Sequence, residues 1–398
     1  MIICILGRQP RLAAAELESL YGSEAVRLLP DQPVALVSAD DISLELGGTI
    51  KTARLIDTIP AISFSSVIQH LKRRLPQYIA DMPAEGKLKL GLSVYGLSVS
   101  LPELTRASLF LKQTLKRTGR SVRSVPNSEL ALSSAQVIHN QLTSPLGLEL
   151  ILVRDGDHTL IGRTFHEQDI TAYTLRDRGR PRRDPFVGML PPKLAQIMIH
   201  LAARGTQKAP AEGSDNTTPT LLDPFCGTGV VLQEALLEGY QPYGTDLSER
   251  MVRFTRDNLN WLIDTHHVTG TPYYEIADAT NHSWRQPIDL VVCEAYLGQP
   301  MSQEPPREKL EAIIHECNTI LRGFLTNIAP QLAPGTPLCV AAPAWFVAGG
   351  VRHLPCLSDL AALGFRRHTF DTANDQDLIY HRDDQIVGRE LLVLTKAS

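Results

Sequence analysis

The chain has 398 residues, of which 43% are hydrophobic and 21% charged, and its net charge is −4. This is the composition of an ordinary soluble protein with enough core for two or three domains. It excludes nucleic-acid binding through a global positive field, so any such binding must rest on local basic patches. Six cysteines (Cys4, Cys226, Cys293, Cys317, Cys339, Cys356) are scattered without a C-x-x-C pair. That favours buried, reduced thiols in a cytoplasmic protein over zinc or disulfides. No apolar run approaches the ~20 residues of a membrane span. The apolar start, Met1 to Leu6, is short, lacks a basic flank and reads as a strand, not a signal peptide.

Residues 1–60 alternate strand and helix signals. Ile2–Leu6 is expected as a buried strand, Leu12–Tyr21 as an amphipathic helix and Val34–Ser38 as a second strand. Leu46 to Lys51 reads as the turn into a third strand, Thr52–Thr58. Residues 61–170 make a second unit. The pattern predicts a helix over Val67–Leu75, a strand over Lys87–Val94, a helix over Leu101–Thr118, a strand over Ser121–Val125 and a helix over Leu130–Gln141. Leu148–Val153 and Thr159–Phe165 flank Asp155-Gly156-Asp157, a hairpin turn signal. Basic residues cluster at Lys72-Arg73-Arg74, Lys112, Lys116-Arg117 and Arg120. They are either solvated helix faces or a surface that holds a polyanion by its phosphates without reading sequence.

Residues 171–219 form a connector. Arg176-Asp177-Arg178-Gly179-Arg180-Pro181-Arg182-Arg183-Asp184 carries five arginines against two aspartates, and its glycine and proline predict an exposed, irregular segment. Its arginines either pair with local acids or serve as guanidinium forks for phosphates beside an active site. Gly188-Met189-Leu190-Pro191-Pro192-Lys193 leads into a helix, Leu194–Ala203, with Pro192 suited to the first turn. The segment 204–219 has no period and reads as a mobile loop.

From Thr220 the pattern is a regular α/β alternation. Thr220–Leu222 runs into Asp223, and the turn Pro224-Phe225-Cys226-Gly227-Thr228-Gly229 leads into a helix, Val230–Glu238. The strand Pro242–Thr245 closes with Asp246, and Ser248 is placed to cap a helix from Glu249 to about Asp264. Strands Tyr273–Ala277 and Ile288–Cys293 end in Asp278 and Glu294. A helix over Glu308–Leu332, a strand over Pro337–Ala342 and a short helix over Leu357–Leu363 follow. Asp377–His381 and Arg389–Thr395 close the chain as a hairpin. Continuous apolar strands between helices predict a parallel sheet covered on both faces, with the hairpin adding an antiparallel strand at its edge.

Four strands ending in acids line one crevice with acceptors, since ligands of such sheets sit beyond the carboxyl ends of the strands. Asp246 lies near the spacing of a ribose-binding acid, so a dinucleotide competes for this crevice. Two residues oppose it: the third glycine of G-x-G-x-x-G falls on Leu232, and Asp223 would repel a pyrophosphate. S-adenosylmethionine, with an ammonium, a sulfonium and no phosphate, suits the acids. Asp223, Phe225, Gly227 and Gly229 are then expected at its methionine end, Asp246 at both ribose hydroxyls and Asp278 at the adenine amine.

Asp223-Pro224-Phe225-Cys226-Gly227-Thr228-Gly229 resembles the S-adenosylmethionine loop of amino-methyltransferases acting on RNA or DNA bases. The segments Arg176–Asp184 and Gly188–Gln196 narrow this to the tRNA guanine-N2 methyltransferases of archaea and eukaryotes that modify guanosine 10. Ser133-Ser134-Ala135-Gln136-Val137-Ile138 is similar to their THUMP domain, a tRNA-binding module. The resemblance implies a Rossmann-like class I methyltransferase domain, a seven-stranded, mostly parallel sheet, over residues 220–398. It implies a ferredoxin-like unit over 1–60, a THUMP-like domain over 61–170, and the connector, helix and loop over 171–219. It also implies that the partner is tRNA, that Lys72, Arg73 and Arg74 with Arg176, Arg178, Arg180, Arg182 and Arg183 meet its phosphates, and that a guanine is flipped into the site. After its fourth strand the family carries an acid or amide, two prolines and an aromatic; this chain has Glu294-Ala295-Tyr296-Leu297. The carried-over roles are Glu294 and the carbonyl of Ala295 as acceptors from the exocyclic amine, and Tyr296 as the stacking ring. No metal is called for. A DNA amino-methyltransferase and a non-catalytic tRNA-binding protein remain open as alternatives, and the sequence is silent on a partner subunit.

Overall fold

Strand order and side-chain burial decide where the site sits. The computed structural model describes residues 1–184, 190–204, 218–301 and 303–398. Gly188 and Met189 of the segment before the helix, and most of the expected 204–219 loop, therefore lie outside the described residues. The chain divides into two compact units, Met1–Pro10 with Glu24–Ile170, and Arg11–Ser23 with Thr171–Ser398.

The elements run, in order, β1 (Ile2–Leu6), α1 (Pro10–Tyr21), β2 (Val26–Leu28), β3 (Val34–Val37), β4 (Thr49–Ile59), α2 (Phe64–Tyr78), β5 (Leu88–Tyr95), α3 (Leu101–Lys116) and β6 (Val122–Ser124). Next come α4 (Ser134–His139), β7 (Gly147–Asp155), β8 (His158–Glu167), α5 (Ile170–Thr174) and α6 (Pro192–Ala202). The strands of the first unit form one eight-stranded sheet in the order β2-β3-β1-β4-β8-β7-β5-β6. β4 begins at Thr49, inside the stretch read as a turn from Leu46 to Lys51 and three residues before the expected strand start at Thr52, and pairs with β1 on one side and β8 on the other. The β7–β8 hairpin closes at Asp155 opposite His158, with Gly156 at φ 57°, the left-handed conformation that glycine reaches without a steric cost. Helix α4 is much shorter than the expected Leu130–Gln141. Residues ahead of it serve the sheet instead: Val94 N donates to Leu130 O at 2.9 Å, and Leu132 N donates to Ser93 Oγ at 2.9 Å. A capping box then starts the helix, with Ser133 N donating to Gln136 Oε1 at 3.0 Å and the Ser133 hydroxyl accepting from Gln136 N.

The second unit contains β9 (Thr220–Asp223), α7 (Val230–Leu237), β10 (Gln241–Asp246), α8 (Glu249–His266), β11 (Tyr273–Ile276), β12 (Leu290–Glu294), α9 (Arg307–Ile328) and β13 (Pro337–Val347). It ends with β14 (Gly350–Arg352), β15 (Phe365–Arg367), β16 (Ile379–Tyr380) and β17 (Val387–Lys396). The sheet order is β11-β10-β9-β12-β13-β17-β15, with β14 on β13 and β16 on β17. β11 to β13 are parallel, and β17 is antiparallel to both its neighbours. The expected edge strand is thus an interior one. Leu391 and Val393 enter the core on one face while Leu392 and Leu394 enter the core on the other, and a strand buried on both faces belongs inside a sheet. Three helix readings shift. The segment 355–359 forms a 3₁₀ turn in place of the expected Leu357–Leu363 helix. α9 stops at Ile328, and Ser248 precedes α8 without a side-chain cap.

Helices α1, α6, α7 and α8 share one face of this sheet, and α9 covers the other. Leu232 on α7 explains the missing third glycine. In a dinucleotide fingerprint that glycine lets the helix approach the strand. Here the space is supplied by Gly244 on β10, where an added Cβ would lie 2.4 Å from Leu232 Cδ1. Gly244→Ala is expected to lower unfolding stability by about 1–3 kcal/mol through overpacking. Leu232→Ala in the same chain should recover part of that loss in urea denaturation, and no recovery would refute the pairing.

A buried polar cluster ties α1 to α6. His200 Nδ1 lies 2.7 Å from Glu16 Oε1 and its Nε2 lies 3.4 Å from Glu238 Oε1. Burial works against the imidazolium, but hydrogen bonds and charge from Glu16 and Glu238 outweigh it and raise the pKa to about 9. A folded-state pKa above the ordinary 6.5 stabilises the fold fully below pH 6.5, and that stability is lost as pH rises through about 9. The loss is expected to be on the order of 3 kcal/mol. Urea midpoints measured from pH 6 to 9.5 should fall for the wild type and stay flatter for His200→Gln.

Candidate active site

The carboxyl ends of β9, β10 and β12, with the residues after β11, open onto a cleft of about 1100 Å³. It is lined by Asp223, Phe225, Gly227, Asp246, Asp278, Glu294, Ala295 and Tyr296 among others. Residues spread over more than seventy positions of sequence thus meet at one place because parallel strands all point their carboxyl ends the same way. Gly229 stands just behind the lining, at the N-terminus of α7 with φ 82°. An added Cβ there would lie 3.0 Å from Thr255 Cγ2, so this position needs glycine for both conformation and space.

Each acid is held differently. Asp223 is buried, and its Oδ1 accepts from Phe225 N at 3.1 Å. Asp246 accepts from Gly227 N at 2.9 Å through Oδ2 and from Ser248 N at 2.8 Å through Oδ1. The acid that ends β10 therefore pins the glycine turn, and each of its oxygens keeps a second lone pair for a ligand. Asp278 accepts from Thr280 N at 2.9 Å and Thr280 Oγ1 at 2.7 Å. Glu294 Oε1 accepts from Arg389 Nε at 2.5 Å. Phe225 packs edge-on against Phe324, ring centroids 5.2 Å apart, and Tyr296 is half-buried against the α9-side core.

The cleft is electrostatically acidic. Burial pushes the Asp223 carboxyl well above the ordinary carboxylate range, and the neighbouring charges of Asp246 and Glu294 push it the same way. Burial also raises Asp246, against the backbone N–H groups that stabilise its charge. Glu294 is raised by burial and restrained by Arg389. Asp278 is lowered by its bonds from Thr280. Among the described residues Arg250 is the sole Lys or Arg in the lining, and its guanidinium is already paired with Asp184. A cationic ligand would relieve this accumulation of negative charge.

Two residues of the site escaped sequence reasoning. Leu247 lines the cleft while 73% exposed, and its only signal is an apolar residue directly after Asp246. Arg389 approaches Glu294 from β17, a charged residue at the head of an apolar run.

The connector departs from expectation. Residues 175–179 continue α5 as a π-helical turn, and two of the five arginines turn inward. Arg176 is buried, 2.8 Å from Glu234 Oε1, with its guanidinium carbon 4.4 Å from the Tyr173 ring centroid. Arg180 is buried too, and among the described residues its guanidinium has no hydrogen-bond partner. The expected exposed segment is therefore corrected at these two positions: Glu234, 58 residues away on α7, and the Tyr173 ring take Arg176 into the core. Arg178, Arg182 and Arg183 are exposed, and Arg182 lies 2.8 Å from Asp257. In the first unit Lys72, Arg73 and Arg74 are exposed on α2, with Lys72 5.4 Å from the Phe110 ring centroid and Arg74 3.6 Å from Asp57. Among the described residues no helix is long and apolar enough to cross a membrane, and no cluster of metal-ligating side chains occurs.

Comparison with known proteins gives two kinds of likeness. The chain is 33% identical over 170 residues to a tRNA (guanine(10)-N2)-dimethyltransferase of Methanothermobacter thermautotrophicus, a match that covers 42% of this chain and 43% of that protein. It is 36% identical over 87 residues to the tRNA (guanine(10)-N2)-dimethyltransferase of Pyrococcus abyssi, covering 21% and 22% of the two chains. The matched stretch thus spans less than half the length of these curated relatives. No protein-family model matches. Among solved structures, TrmN from Thermus thermophilus superimposes with a TM-score of 0.52 at 16% identity, covering 99% of both chains. The fold is therefore shared with that structure: a mostly parallel α/β sheet domain of the Rossmann-like kind preceded by an α+β region, as the strand pattern implied.

Proposed function

We propose that this chain is an S-adenosylmethionine-dependent tRNA methyltransferase acting on the exocyclic N2 of a guanine. The observation that carries the reading is the ring of acids, Asp223, Asp246, Asp278 and Glu294, gathered around one cleft behind the Gly227–Gly229 turn. The donor set fits the cofactor. Buried Asp223 and its acidic neighbours suit an ammonium and a sulfonium, the free lone pairs of Asp246 suit two ribose hydroxyls, and exposed Leu247 offers an apolar contact for a base. Asp278, which lines the same cleft, takes the adenine amine in this reading. When bound, the cofactor supplies an electrophilic methyl group.

The remaining work falls to the acceptor side. Glu294 accepts a hydrogen bond from the guanine amine, and the carbonyl of Ala295, which follows it at the mouth of β12, accepts a second. Together they direct the nitrogen lone pair at the methyl, a gain from orientation alone. Tyr296 stacks on the extruded base. One N–H proton of the amine leaves as the new N–C bond forms. The eight-stranded unit, read as ferredoxin-like and THUMP-like segments, holds the tRNA through phosphate contacts that include Lys72, Arg73 and Arg74, with Arg178, Arg182 and Arg183 nearer the chemistry in sequence. Six free, buried cysteines suit a cytoplasmic enzyme.

The test is transfer of a tritiated methyl group to unmodified tRNA, followed by nucleoside mass spectrometry. N2-methylated guanosine is the expected product. Label in duplex DNA with none in tRNA would favour a DNA amino-methyltransferase. Tight tRNA binding with no transfer to any RNA pool would favour a non-catalytic binding protein.

A further inference from the structure

The acceptor carboxylate sits in surroundings that oppose its charge. Glu294 on β12 faces a cleft that is also lined by Asp223 from β9, Asp246 from β10, Asp278 after β11 and Glu316 from α9. Arg250 from α8 is committed to Asp184, and β13, which pairs with β12, places only Ala341 beside it. Without a counter-charge, a carboxyl so placed takes up a proton and turns from acceptor to donor. Arg389 supplies the counter-charge from two strands away. β13 lies between them and is built of Ala341, Ala342, Pro343 and Ala344 where it crosses, so no long side chain stands between β17 and the cleft. The guanidinium reaches through and donates from Nε to Glu294 Oε1, with side-chain exposures of 9% and 15%.

We infer that Arg389 is a positioning residue for the acceptor amine, holding Glu294 ionised and in one orientation so that its second oxygen accepts from the base. The inference rests on the methyltransferase reading of this cleft. It also accounts for how Glu294-Ala295-Tyr296-Leu297 serves without the two prolines that stiffen the resembled motif: a charge-assisted hydrogen bond orients the longer side chain. The pair makes Glu294 an acceptor and a poor base, so the departing proton goes to solvent.

The test is methyl transfer measured from pH 6 to 9. The wild type should show no ionisation of Glu294 in this range. Arg389→Met should lose activity at pH 7 and regain it as pH rises, since each unit by which the carboxyl pKa exceeds the pH removes about tenfold of the active form. Arg389→Lys keeps the charge and should keep a level profile at reduced rate, and it serves also if Arg389→Met does not fold. Glu294→Gln needs no counter-charge, so adding Arg389→Met to it should cost little further activity. A merely structural arginine would give equal losses at every pH and in both backgrounds, and that outcome overturns the inference. Wild-type protein that methylates no RNA would instead overturn the functional reading. The pairing is then decided by ¹³C carboxyl titration of Glu294, which must move upward in Arg389→Met for the inference to stand.

Discussion

Asp246→Ala is expected to weaken S-adenosylmethionine binding by roughly 100-fold or more, measured by isothermal titration calorimetry. Two effects combine. The proposed hydrogen bonds from both ribose hydroxyls end on this carboxylate, and bonds to a charged acceptor contribute about 1.5–3 kcal/mol each. The same side chain also accepts from Gly227 N and Ser248 N, so its removal frees the glycine turn from the end of β10. Asp246→Asn separates the two effects. Its amide oxygen can retain one backbone bond but not both, and its affinity should fall between those of the wild type and Asp246→Ala. Affinity within threefold of wild type in Asp246→Ala would remove this residue from the cofactor site.

Glu294→Ala should reduce the rate of methyl transfer by about 10²–10³-fold while leaving cofactor affinity close to wild type, the pattern of an interaction made in the transition state. It carries a stability cost as well. Arg389 is left in a nearly buried position with no carboxylate, and removing one partner of such a pair costs about 3–5 kcal/mol. Thermal melts must therefore accompany the kinetics, with rates compared well below the melting temperature. Glu294→Gln keeps a single acceptor oxygen, which Arg389 or the base can engage but not both, so its rate should fall between those of the wild type and Glu294→Ala. A fully active Glu294→Ala enzyme would sink the proposed role for this carboxylate and move attention to the Ala295 carbonyl.

Much of this site could be read from the chain because its determinants are local. An apolar strand, an acid and a glycine turn are contiguous from Thr220 to Gly229, and the acids at 246, 278 and 294 each end a recognisable strand. Parallel packing then brings their ends together without further instruction. The hairpin at Asp155–His158 and the helix opened by Pro192 were legible for the same reason. Boundaries failed where a longer-range bond took over. Leu130–Leu132 reads as helix by period but bonds to β5, and Thr49–Lys51 reads as turn but pairs with β1 and β8.

The basic connector shows the limit of composition. Five arginines in nine residues predict exposure, yet Glu234 on α7, 58 positions away, draws Arg176 into the core. Exposure is a property of what packs around a residue, and charge count alone does not report it.

For the Asp223–Gly229 loop and the acids beyond it, the sequence by itself determined the cleft's chemistry, because a strand's end and its terminal side chain are set by adjacent residues. Tertiary structure alone decided three things. It placed Gly244 under Leu232, so that a bulky residue stands where a dinucleotide fold needs glycine. It drew β17 into the interior of the sheet, since both its faces are apolar. It brought Arg389 to Glu294 across 95 residues of chain, a pairing made by sheet order and by the small side chains of β13, neither of which any local pattern contains.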